Sequence, residues 1–180
     1  GSSLLLARYS LPDIWLHAAY DVHPPLYFML LHSWMALFGD GIFSIRCLSA
    51  LPGIASVGLG VWLVDRLATR RAAILAGFLL ALLPTAVRYS QEVRMYGLAL
   101  ALGLLSSACL WLLTKRLDQM PARAGLLSWP ALGYLVAATA SLYTLYYTAL
   151  LLAAHLLWAI YHFRRRLHAA LALAFVVHDN

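Results

Sequence analysis

"SIRCLSALPGIASVGLGVWLV", residues 44–64, carries a single charge, Arg46, close to its start. A helix of this length rises about 30 Å, the thickness of a bilayer's hydrocarbon layer. Four more apolar runs follow, at 72–87, 95–113, 127–142 and 147–163. A chain of 180 residues, 63% hydrophobic and 11% charged, lacks the polar residues to wrap so many apolar helices in water. The pattern predicts an all-α fold: a polytopic membrane protein with about five transmembrane helices. Pro52 with Gly53, and Pro84, fall inside these runs and are expected to kink them.

Charge gives the expected topology. Nine of the thirteen basic residues lie in three clusters between the runs: Arg66, Arg70 and Arg71; Lys115, Arg116 and Arg123; Arg164, Arg165 and Arg166. If each run crosses once, all three clusters share one side, which the positive-inside rule makes cytoplasmic. The net charge of +6 is therefore read as a topology signal, and no nucleic-acid partner is expected.

Working back from residue 44, the stretch 26–38 is apolar but short, and His32 and Ser33 interrupt it. It reads as an interfacial or re-entrant helix. "SLPDIWLHAAY", residues 10–20, reads similarly: Ser10 before Pro12 and Asp13 is a helix-start signal, and Trp15 and Tyr20 suit the headgroup layer. The expected organisation is an external loop with juxtamembrane helices over 1–43, then a single, truncated transmembrane bundle over 44–180. Cys47 and Cys109 sit in apolar runs without metal-ligand spacing and read as buried thiols. The histidines at 17, 32, 155, 162 and 168 form no ligand spacing either.

This topology sends Asp21, His23, Asp40, Arg46, Arg88, Glu92 and Arg94 to one outer face. In "DVHPPLYF", residues 21–28, the prolines fix the backbone and hold His23 extended at a helix mouth. The plainer reading is a helix start with Asp21 as a cap and a solvated histidine. In "RYSQEVRMY", residues 88–96, a helix would put Arg88, Glu92 and Tyr96 on one face and send Arg94 elsewhere. Ionisable groups near a membrane core mark a site or, alternatively, an ion pair fastening two helices. Arg46 either snorkels to the headgroups or offers a bidentate phosphate ligand. "SLYTLYY", residues 141–147, fits an interfacial aromatic belt better than a sugar-stacking surface.

Together, "DVHPPLYFMLLHSWMALFGDGIFSIRCLSALPG" (21–53) and "RYSQEVRMYGLAL" (88–100) resemble the membrane-embedded GT-C glycosyltransferases. The resemblance is closest to bacterial relatives of protein O-mannosyltransferases and aminoarabinose transferases, and covers about residues 4–163. It implies a GT-C hexosyl- or pentosyltransferase of the inner or plasma membrane. Its reaction would be inverting transfer of a sugar from a polyprenyl-phosphate donor to a hydroxyl on a lipid, glycan or protein acceptor, at the periplasmic or extracellular face. Carried over by position, Asp21, His23 and Glu92 are the catalytic candidates, and Arg46, Arg94, Arg88 and Tyr96 the substrate-binding ones. Arg94 or Arg46 is expected to meet the lipid phosphate.

The family also carries an acidic pair, usually Asp-Glu, just after its first membrane helix. This sequence starts at Gly1 without that pair or its helix, so this segment is expected to be inactive alone. The cofactor is left unknown: Asp21, His23 and Glu92 could ligate a divalent cation, but no spacing demands one. Two other classes use the same residues. A transporter or lipid flippase would use Glu92 and the arginines as a substrate or proton path. A structural membrane subunit would use them only as helix fasteners.

Overall fold

The computed structural model describes residues 2–20, 24–84, 88, 92–119, 125 and 127–178. The helices whose bounds are described are α1 (Ser2–Leu6), α2 (Leu11–Tyr20), α3 (Leu26–Phe38), α4 (Ile42–Leu67), α5 (Arg70–Leu82), α6 (Tyr96–Gln119), α7 (Trp129–Leu142) and α8 (Thr148–His178). The chain is an all-α membrane protein. Its contacts divide it into two compact units, residues 1–148 and 149–180.

In the first unit α6 is the central helix, packed against α4 and α7, while α5 folds back on α4. Small residues permit these contacts, as expected where lipid supplies no hydrophobic drive between helices. A methyl on Gly60 would strike Leu80, one on Gly77 would strike Val61, and one on Gly133 would strike the Cys109 thiol. Gly97 sets the α4–α6 approach, since a Cβ there would lie 3.1 Å from the Ser49 carbonyl oxygen. Further along, Trp62 meets Trp111 edge-on at 5.6 Å. The two contacts are spaced almost equally along both chains, so α4 and α6 run parallel.

Each of the five long apolar runs contains a helix. Among the described residues, α4 at 26 residues and α6 at 24 are long and apolar enough to cross a membrane. Ile54, Phe78, Leu79, Leu132 and Leu135 point outward, apolar surface that suits lipid. The helices α5 and α7 are shorter, 13 and 14 residues. Thr69 caps the start of α5 by accepting from the Ala72 N–H at 3.3 Å. That helix ends at Leu82, so Pro84, expected inside a span, instead lies beyond the helix end. Pro52 lies within α4, and the Ser56 hydroxyl donates to the Pro52 carbonyl at 2.8 Å. In the second unit, α8 runs for 31 residues straight through the arginine triplet. Its Leu, Ala and Arg residues favour helix, and no Gly or Pro stops it.

Candidate active site

The segment ahead of α4 is a set of short helices pinned to one apolar cluster. Ser10 caps α2, accepting from the Asp13 N–H at 3.4 Å while its hydroxyl donates to the Asp13 carboxylate at 2.5 Å. His32 Nδ1 lies 2.9 Å from the Ala7 carbonyl and ties α3 to the end of α1. Arg8 reaches Asp40 at 3.7 Å in an exposed pair. Beneath them Ala7, Ile14, Tyr27, Phe28, Leu31, Ile45 and Met95 form a buried cluster drawn from the residue after α1, from α2, α3 and α4, and from the lead into α6. Each large side chain removed from solvent this way contributes about 1.5–3 kcal/mol.

Polar ties fix α3 to its neighbours. The Tyr27 hydroxyl lies 3.2 Å from the Ser49 hydroxyl, and burial pushes the phenol above its ordinary range. Trp34 Nε1 donates to the Ser44 carbonyl at 2.9 Å, joining α3 to the first turn of α4. Between them the chain turns at Gly39, whose φ of +80° suits glycine alone. At the other end of α3, Pro25 occupies the cap and the Leu26 N–H donates to the Tyr143 carbonyl at 3.0 Å.

Met95 is 4% exposed, and this anchors the charged segment before α6. The Glu92 N–H donates to the Arg88 carbonyl at 3.1 Å, and the Arg94 N–H donates to the Glu92 carbonyl at 2.8 Å. The second bond closes a tight turn, so the continuous helix considered for residues 88–96 is absent and α6 starts only at Tyr96. That turn reverses the expectation for Arg94. Glu92 takes Arg88 Nε on Oε1 at 3.0 Å and Arg94 Nε on Oε2 at 3.4 Å. One carboxylate between two guanidiniums leaves a net positive charge. Its side chain is one-third exposed, whereas those of Arg88 and Arg94 are 76% and 52% exposed, so the guanidiniums lie where an anion in solution can reach them.

Arg46 is exposed, next to buried Ile45 and one turn before Ser49. It has no ion-pair partner among the described residues. Tyr96 is half-buried at the first position of α6, one residue before Gly97 meets Ser49. Ser49 thus links Tyr27 of α3, the Arg46 turn of α4 and the head of α6. Asp21 and His23 lie outside the described residues. The described residues contain no group of three His, Cys, Asp or Glu able to hold a metal.

Sequence reasoning missed Met95, Ser49 and Tyr27 as the parts that assemble this corner. It also missed an apolar groove of about 490 Å³ lined by Trp15, Pro25, Leu26, Met29, Leu135 and Thr139. Trp15 stacks on Tyr143 at 6.1 Å along its edge. The only sequence signal for this corner was the spacing of Tyr27 and Leu31 at i and i+4, which marks a buried stripe.

The sequence matches the family described as dolichyl-phosphate-mannose-protein mannosyltransferase over residues 22–178. No curated protein and no solved structure gives a significant match. The matched region takes in α3 to α8 and the Glu92 turn, most of the chain, so the chain belongs to the dolichyl-phosphate-mannose-protein mannosyltransferase family of membrane glycosyltransferases.

Proposed function

We propose that the corner formed by the α3–α4 turn and the head of α6 binds the phosphate of a polyprenyl-phosphate sugar during transfer to a hydroxyl acceptor. The observation that carries this reading is Glu92 held between Arg88 and Arg94 on a turn anchored by Met95. In an inverting transfer the acceptor oxygen attacks the anomeric carbon while the sugar–phosphate bond breaks, leaving negative charge on the lipid phosphate. Preorganised guanidiniums stabilise that charge as it develops. Arg94 and Arg46 supply them, Glu92 fixes the orientation of Arg94, and Arg88 and Tyr96 border the same turn. Asp21 and His23 act on the acceptor proton beside the family's acidic pair, and transfer is expected from a chain carrying that pair.

The acceptor, a lipid, glycan or protein, approaches from the periplasmic or extracellular side of the inner or plasma membrane. The external-loop organisation of residues 1–43 before the bundle belongs to the same reading. The test is binding of a polyprenyl-phosphate sugar to the purified protein, wild type against Arg46→Ala and Arg94→Ala in one detergent. Weaker binding in both variants supports the assignment. Undiminished binding in either removes that arginine from the donor site. With the acidic pair present, unchanged transfer by His23→Ala would remove His23 from the mechanism.

A further inference from the structure

At the opposite end of α4 and α6 lies a second cationic site with a different construction. Arg66, in the last turn of α4, places its guanidinium 5.5 Å from the Trp62 ring centre and 5.7 Å from that of Trp111. Lys115, one turn after Trp111 on α6, places its ammonium 5.7 Å from the Trp111 ring. Two cations from different helices therefore share one indole and are separated by at most twice that distance. Among the described residues neither is paired with a carboxylate. Arg70 and Arg71, both exposed, open α5 just beyond Arg66 and add two more charges.

Ring faces attract these cations but do not neutralise them, and Arg66, Arg70, Arg71, Lys115 and Arg116 against Asp65 and Asp118 leave these helix ends with a net positive charge, two cations of it held in a defined place. A solvated patch would leave long side chains free, whereas these rest on an edge-to-face tryptophan pair. Toward the middle of the same helix pair is an apolar cleft of about 360 Å³, with Leu51, Ala55, Leu59, Leu102 and Leu105 among its lining. On α4 the residues Ala55, Leu59, Trp62 and Arg66 follow helical spacing, so the cleft and the cation lie on one stripe. An apolar slot leading to indoles and then to unpaired cations matches, in order, an acyl chain, a glycerol interface and a phosphodiester.

We propose that this end of α4 and α6 binds an anionic glycerophospholipid from the leaflet opposite the candidate active site. Its phosphodiester sits between Arg66 and Lys115, Arg70 and Arg71 face the headgroup, and one acyl chain lies in the α4–α6 cleft. Basic pockets between transmembrane helices recognise acidic headgroups in this way. The proposal is independent of the donor reading, since it uses none of its residues.

The test is native mass spectrometry of the purified protein titrated with phosphatidylglycerol, with phosphatidylcholine of the same chains, and with soluble glycerophosphoglycerol. Phosphatidylglycerol should bind more tightly than phosphatidylcholine. Each of Arg66→Gln and Lys115→Gln should weaken it about fivefold, and the pair about thirtyfold. Phosphatidylcholine binding should not change, and Arg66→Lys should retain binding. Both side chains are exposed, so the variants should keep the wild-type circular dichroism. Arg164→Gln removes the same charge from the arginine triplet of α8, no part of the proposed site, and should have little effect. Equal binding of the two lipids, an equal loss in Arg164→Gln, or full competition by glycerophosphoglycerol would each overturn the proposal. The last would mean a site for soluble anions that makes no use of the acyl chain.

Discussion

Replacing Glu92 by Gln separates a catalytic corner from a helix fastener. The substitution keeps the size of the side chain and one carbonyl acceptor but removes the charge that faces Arg88 at 3.0 Å and Arg94 at 3.4 Å. The arginine side chains are 76% and 52% exposed, so each pair ranks with surface salt bridges, about 0.2–1 kcal/mol. Losing both should cost at most about 2 kcal/mol, and the released arginines stay in water with no desolvation penalty. A buried fastener would cost about 3–5 kcal/mol when one partner is removed. Thermal unfolding at fixed detergent and lipid gives the stability change, and donor binding with sugar transfer gives the functional one. The expected result is a small stability loss with transfer lowered about a hundredfold or more, because Arg94 loses its orientation. A stability loss above about 3 kcal/mol with transfer unchanged would refute the reasoning and return Glu92 to a structural role.

Other perturbations probe the frame around that turn. Met95→Ala should cost about 2–5 kcal/mol by the same unfolding assay, because it opens a cavity in the cluster that seats residues 92–95. Arg46→Ala should leave stability almost unchanged, since the side chain is exposed, yet weaken donor binding about tenfold or more, as loss of a charged hydrogen bond would. Gly39→Ala should destabilise by about 1–3 kcal/mol, because φ of +80° with extended ψ excludes a Cβ; unaltered unfolding would mean the α3–α4 turn relaxes. Tyr27 gives a pH prediction. Burial raises its pKa in the folded state, so its contribution is constant below the ordinary tyrosine pKa of about 10 and is lost as pH rises past that value. Tyr27→Phe should flatten that alkaline decline in an unfolding titration.

The membrane character, the helical class and the identity of the charged residues were legible in residues 44–64 and 88–100, because apolar run length and ionisable residues between runs are local properties. Helix ends were legible where a capping residue marked them, as at Ser10. They were not where a neighbour decided: α5 stops before Pro84, and α8 continues through three arginines that a charge rule reads as a boundary. The pairing of Arg94 with Glu92 could not be read from spacing, because a helix sends those side chains apart and only the turn seated by Met95 brings them together. Likewise the closeness of Tyr27, Ser49 and Gly97, distant in sequence, comes from the parallel packing of α4 and α6. Sequence by itself determined which solvent the chain faces and which chemical groups it carries, because these follow from composition and period. Tertiary structure alone decided which groups meet, because that depends on buried side chains and close backbone contacts between helices remote along the chain.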